Sequence, residues 1–224
     1  MLRFRKQKQP ETLTQLQATP DSDWRSSREI REQLLADQGF LCAYCQRRIP
    51  CAMAESYYPG MHVEHWLAQS TDTTASMQWS NLLGVCPGEP PLEAGTPHGP
   101  NHCDRSRGHR ELFLHPIEGR GADPRTHITY NHEGRIGPSA GGNADAVRRD
   151  IASLNLNHWR LRLIRRELRD FLRERLTRRG FSLATLREHY REYSPRQDQH
   201  SHPLCEVARC YLRSWARKKG ASLE

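Results

Sequence analysis

No stretch of this chain is apolar for long enough to cross a bilayer, which takes roughly 20 consecutive apolar residues. The basic start Met1-Leu2-Arg3-Phe4-Arg5-Lys6 is followed by no apolar h-region, so no secretory signal is expected. Internal repeats are lacking too. Apolar residues are scarce, at 36% of 224, which limits the chain to one medium domain or two small ones with a modest core. The seven cysteines are an odd number, and two stand in a tight C-x-x-C. Without a signal peptide that pattern predicts metal binding rather than a disulfide framework, in a reducing cytoplasm. Acidic residues are outnumbered, 26 against 34 Lys and Arg, for a formal net charge of +8. The excess favours an anionic partner, foremost nucleic acid, although a solvated Arg-rich helical surface has the same composition.

What the chain does have is a concentration of metal-ligand residues between positions 42 and 104. Cys42-Ala43-Tyr44-Cys45 is followed by His62-Val63-Glu64-His65, Asn81, Cys86 and His102-Cys103-Asp104. Thiolates suit a soft ion such as Zn²⁺ and carboxylates a hard ion such as Mg²⁺. One short stretch thus offers a structural metal site and a catalytic one.

Around that stretch the chain divides by pattern. Residues 1–23 are polar with two prolines and read as an arm. A helix is expected from Ser26 to Asp37, with Ser26 and Glu29 as a capping box and Ile30 and Leu34 on one face. Met61 to Trp66 and Leu82 to Cys86 read as short strands. The Pro/Gly-rich segment between Cys86 and Cys103 excludes a helix or a central strand. His127–Tyr130 and Arg135-Ile136 predict a hairpin, and Gly137 to Gly142 a flexible joint. Then Asn157 reads as an N-cap, before a stripe of Leu161, Ile164, Leu168, Phe171 and Leu172 that runs to Gly180. Nine arginines lie between Arg160 and Arg179. A last helix is expected from Pro203, with Leu204, Val207, Ala208, Tyr211, Leu212 and Trp215 at helical spacing. The domain reading is 1–23 arm, 24–120 metal-bearing core, and 121–224 hairpin and helical region.

Cys42 and Cys45 form a knuckle, since two intervening residues let both sulfurs face one ion. Cys86 and Cys103 complete a Cys₄ zinc site in this reading. Cys51 is a substitute ligand candidate, and Cys205 and Cys210 read as packing thiols. A rival assignment pairs Cys42 and Cys45 with His62 and His65, but it leaves Glu64 and Asp104 without a role. In the acid group, His65 can accept a proton near neutral pH. Glu64 and Asp104 can hold one Mg²⁺ or Mn²⁺ with positions open for phosphate and water. Asn81 can tie down the loop after His65 through backbone hydrogen bonds. Arg105, Arg107 and His109 are candidates for phosphate binding. Taken singly, Glu64-His65 is equally a surface pair and each basic residue equally a solvated one.

Together these residues resemble the HNH endonuclease superfamily. The order is C-x-x-C, Glu64-His65, Asn81-Leu82, Cys86, then Cys103-Asp104 with Arg107 three places on. The resemblance implies an α+β fold: a small ββα-metal core with a Cys₄ zinc site, followed by a mainly α-helical C-terminal region. It implies that His65 is the general base, that Glu64 and Asp104 hold the divalent ion, and that Asn81 positions the base. The segments "CAYCQRRI", "VEHW", "WSNLLGVCPG", "HCDRSRGH" and "LNLN" resemble the HNH proteins of Septu and retron-linked anti-phage systems. That narrower likeness, which runs to about Gly180, implies a partner ATPase and a nuclease effector acting on DNA or RNA. Two departures stand out: Leu67-Ala68-Gln69 replaces the Pro and Lys common after the acid-His pair, and Arg107 replaces a Lys. The alternatives are a zinc-stabilised binding module without catalysis and a stand-alone restriction-type nuclease.

Overall fold

The computed structural model describes residues 1–19, 23–49, 61–69, 74–88 and 101–223. Cys51, and most of the Pro/Gly-rich segment before Cys103, lie outside the described residues. The architecture is mixed α+β, with two small two-stranded sheets in the described residues and a helical C-terminal half.

Helix α1 (Glu11–Ala18) precedes α2 (Arg28–Asp37). The N-cap of α2 is Ser27, not Ser26: its hydroxyl accepts from Ile30 N at 3.2 Å. Ile30 thereby takes the third helical position and Glu29 the second, so the expected capping box does not form. Ser26 instead accepts from Arg31 Nη2. Strands β1 (His62–His65) and β2 (Leu82–Val85) pair antiparallel, with Glu64 opposite Leu83 and His65 opposite Leu82. A one-turn helix α3 (Asp104–Arg107) follows Cys103. Helix α4 (Pro124–His127) leads into the hairpin β3 (Ile128–Tyr130) and β4 (Ile136–Pro138). Gly137 therefore belongs to a strand, and the expected joint is shorter than the glycines suggested.

The C-terminal half holds α5 (Ala144–Ser153), α6 (Trp159–Arg178), α7 (Leu183–Glu192) and α8 (Cys205–Arg217). Asn157 does not cap α6. Its side-chain amide pairs with both backbone groups of Ile136, accepting at 2.9 Å and donating at 3.0 Å. Leu161, Leu172 and Leu176 are buried on α6, but Phe171 is 49% exposed and falls off the stripe. One apolar cluster joins Leu34, Leu41, Leu82 and Val85 to Leu161, Val207 and Tyr211. No helix among the described residues is long and apolar enough to cross a membrane.

The first residues are a packed element rather than a loose arm. Met1, Leu2 and Phe4 are buried. Leu2 N donates to Ala43 O at 2.9 Å, and Phe4 N to Pro116 O at 2.9 Å. Apolar side chains at 1, 2 and 4 thus find partners far along the chain, which a local reading of charge cannot show.

Candidate metal and acid-histidine centre

The knuckle is built from the backbone. Gln46 N returns to Cys42 O at 3.0 Å, and Cys42 N donates to Arg47 O at 2.9 Å. Ala43 N donates to Gly84 O, which stitches the turn to β2. Gln38 closes the same corner: its amide donates to the carbonyls of Leu41 and Gly84 and accepts from Gly84 N, each at 2.7 Å. A Cβ at Gly84 would stand 2.8 Å from Met61 Cε, so a larger residue there would displace the end of that side chain. β2 then delivers Cys86 beside the knuckle. Cys103, anchored by its N–H on Leu154 O at 2.8 Å, closes the group from the start of α3.

All four thiols are buried, and their sulfurs lie within 4.8 Å of one another. Cys42 and Cys103 sulfurs are 3.9 Å apart and Cys45 and Cys86 sulfurs 3.6 Å. Tetrahedral Zn–S bonds of about 2.3 Å place sulfurs about 3.8 Å apart. The quartet therefore fits a metal such as zinc. Burial pushes the Cys42 and Cys103 thiols well up, a cost that a bound dication removes by holding thiolates. His102 Nδ1 stands 3.1 Å from Cys103 Sγ and Arg47 Nη2 4.0 Å from Cys86 Sγ. Among the described residues the rival Cys₂His₂ set is not assembled: His62 faces Asp104 and His65 faces Ser76. Cys205 and Cys210 are buried on α8, as packing thiols.

Alternation along β1 sends Glu64 and His65 to opposite faces. Glu64 is 8% exposed. Its Oε1 accepts from Tyr44 OH at 3.0 Å and forms a close ion pair with Arg107 Nη1. Burial, then the neighbouring Asp104 carboxyl, pushes Glu64 up to about 8, against the pull of Arg107. Burial acts to raise Asp104 as well, but hydrogen bonds with His62 and Glu64 outweigh it and hold that carboxyl below its usual range. Arg107 and Tyr44 hold Glu64 Oε1, while the Asp104 side chain keeps an edge in solvent, 28% exposed.

His65 Nε2 lies 3.0 Å from the carbonyl of Ser76. A carbonyl only accepts, so in this shorter contact Nε2 carries the proton and Nδ1 keeps its lone pair, with Gln69 Nε2 3.4 Å from the same nitrogen. Burial lowers the pKa of this ring, and Trp24 meets it edge-on at 5.0 Å. Asn81 fastens the following loop: Oδ1 accepts from Leu67 N at 2.7 Å, and Nδ2 donates to Leu67 O at 3.1 Å and Ala75 O at 3.0 Å. Asn81→Ala strands these groups and is expected to cost about 1–3 kcal/mol, with faster amide hydrogen exchange at Leu67. Unchanged exchange there would refute the fastening role.

Arg107 is not a phosphate contact. It is 1% exposed, and its guanidinium is spent on Glu64, Tyr44 OH, the carbonyls of His65 and Trp66, and Arg110 O. The last residue of α3 points inward, and Glu64 arrives from a strand 43 residues away. Removing one partner of such a buried pair costs about 3–5 kcal/mol, so Arg107→Ala should lower stability by that order in urea titration. A loss no larger than that of exposed Arg105→Ala would contradict the account. Arg105 and His109 do lie exposed at α3 and just beyond it.

The arginines of α6 are largely engaged within the chain. Arg165 is buried and donates to Leu156 O at 2.7 Å. Arg162, Arg169, Arg175, Arg178 and Arg179 pair with Glu133, Asp170, Glu192, Glu174 and Glu188. Sequence reasoning overlooked Tyr44, and weighed His62 only as a zinc ligand, not as the partner of Asp104. Tyr44 stood inside the knuckle, and His62 stood two places before Glu64 on the same strand face. The chain matches no protein-family model and no curated protein sequence.

Proposed function

We propose that the chain is a metal-dependent HNH endonuclease, built on a ββα-metal core with structural zinc at the four cysteines. The observation that carries this reading is the state of His65. Its Nε2 is committed to the Ser76 carbonyl, its Nδ1 is left basic, and its strand neighbour Glu64 joins Asp104 on the other face. A binding module needs none of these groups.

Asp104 and Glu64 would hold Mg²⁺ or Mn²⁺, which supplies charge neutralisation to the phosphodiester and its leaving oxygen. His65 Nδ1 takes the proton of a water as its oxygen attacks phosphorus and the P–O bond to the leaving oxygen breaks. Asn81 holds the loop that carries Ser76 and Leu67, so the ring keeps its tautomer. Arg107 and Tyr44 hold Glu64 in register with α3. Arg105 and His109 are the basic residues placed to meet phosphate. The resemblance to Septu and retron-linked proteins supports a further reading, that this nuclease serves anti-phage defence beside an ATPase partner.

The test is strand scission of supercoiled plasmid and of total RNA by zinc-loaded protein with Mg²⁺ or Mn²⁺. Scission of either names the nucleic acid. Intact substrates under all four combinations, with nucleic acid bound, would favour a binding module.

A further inference from the structure

On the face of β1 that carries Glu64, the residue two places earlier is His62, as strand alternation requires. Its Nδ1 donates to Asp104 Oδ2 at 3.0 Å. Unlike Glu64, both side chains reach solvent: His62 is 38% exposed and Asp104 28%. Two neighbouring ligands of one ion, each at about 2.1 Å and at right angles, stand about 3 Å apart. The separation of the pair is thus already that of adjacent ligands, on the open side of the acid cluster. Glu64, by contrast, has its Oε1 committed to Arg107 and Tyr44.

We propose that His62 is a ligand of the divalent ion bound beside Asp104, and that its imidazole makes the centre favour first-row transition ions over Mg²⁺. The proposal rests on the divalent centre argued above. Mg²⁺ takes oxygen donors and keeps its waters, whereas imidazole nitrogen suits transition ions, with affinity rising from Mn²⁺ along the series. The proton now between Nδ1 and Oδ2 is released when both donors turn to the cation. His62 lies at the start of β1 with its ring partly in water, so its replacement leaves the knuckle and the Glu64–Arg107 pair in place.

The experiment is Mn²⁺ binding to the zinc-loaded full chain, followed by EPR and by competition with Mg²⁺. Wild type should bind Mn²⁺ with ¹⁴N modulation in the pulsed spectrum. His62→Ala should lose that modulation and at least about tenfold in Mn²⁺ affinity, the lower bound seen even for residues that only support a ligand. Its Mg²⁺ affinity should hold. His65→Ala should keep the modulation, which separates the two imidazoles, and His62→Gln should repeat the loss if His62→Ala folds poorly. Modulation that persists in both His62 variants, or its absence from Mn²⁺-bound wild type, overturns the assignment of His62 alone. A wild type that binds no Mn²⁺, or an Asp104→Asn variant that binds it unchanged, overturns the divalent centre beneath it.

Discussion

His65→Ala is expected to slow cleavage by about 10²–10⁴-fold, the usual worth of a positioned general base. The side chain is half-buried, its Nε2 lies 3.0 Å from the Ser76 carbonyl and 3.4 Å from Gln69 Nε2, and it meets Trp24 edge-on. Its loss removes these contacts and should cost the fold only about 1 kcal/mol. Rate and stability therefore separate: single-turnover cleavage falls by orders of magnitude, while melting temperature and zinc content stay close to wild type. His65→Gln, which can still donate to the carbonyl but cannot serve as a base near neutral pH, should be equally slow. Full activity in either variant would remove the general base from the mechanism.

Cys42→Ala is expected to have the largest effect on the fold. Structural zinc contributes about 10–16 kcal/mol in zinc-finger peptides near neutral pH, as much as a typical domain's whole stability of about 5–15 kcal/mol. Here the four ligands are also the joints of the architecture. Cys42 and Cys45 belong to the knuckle sewn to Gly84, Cys86 directly follows β2, and Cys103 directly precedes α3. Tyr44, between the first two, donates to Glu64, and Arg107, four residues after Cys103, grips the same carboxyl. Loss of the metal should therefore release Glu64 and Asp104 along with the sheet. Zinc content should fall to background, thermal unfolding should lose cooperativity, and cleavage should vanish. Cys210→Ala, a buried thiol on α8 outside the quartet, should keep its zinc. Equal zinc content and melting temperature in Cys42→Ala and wild type would refute the structural role.

Local spacing made the quartet legible. C-x-x-C declares a shared ion, and Cys86 and Cys103, on either side of the Pro/Gly-rich segment, were read as completing its ligands. Asn81 was legible because an Asn before an apolar run has few uses other than backbone hydrogen bonds. The β3–β4 hairpin was legible from its two short runs around a turn, whereas β1 and β2 were legible as strands but not as partners. Arg107 was misread because a buried arginine is defined by a carboxylate that arrives from elsewhere in the chain. His62 was weighed only as a zinc ligand for the same reason: its partner Asp104 is 42 residues away. Helices α5 and α7 went unanticipated one by one, although each buries an apolar face, Val147 and Ile151 on α5 and Leu186 and Tyr190 on α7. Asn157 looked like a cap because its pairing with Ile136 depends on where the β3–β4 hairpin lies.

The most direct measurement joins metal content to strand scission on one preparation. Protein purified with zinc, stripped of loosely held ions and assayed for metal, is offered nucleic acid before and after addition of Mg²⁺ or Mn²⁺. The account predicts one zinc per chain, no scission before the addition, and scission after it that EDTA stops while the zinc stays bound. Scission by the zinc-only protein that Mg²⁺ and Mn²⁺ leave unchanged, or intact strands throughout, would contradict a zinc-built scaffold carrying a separate divalent centre.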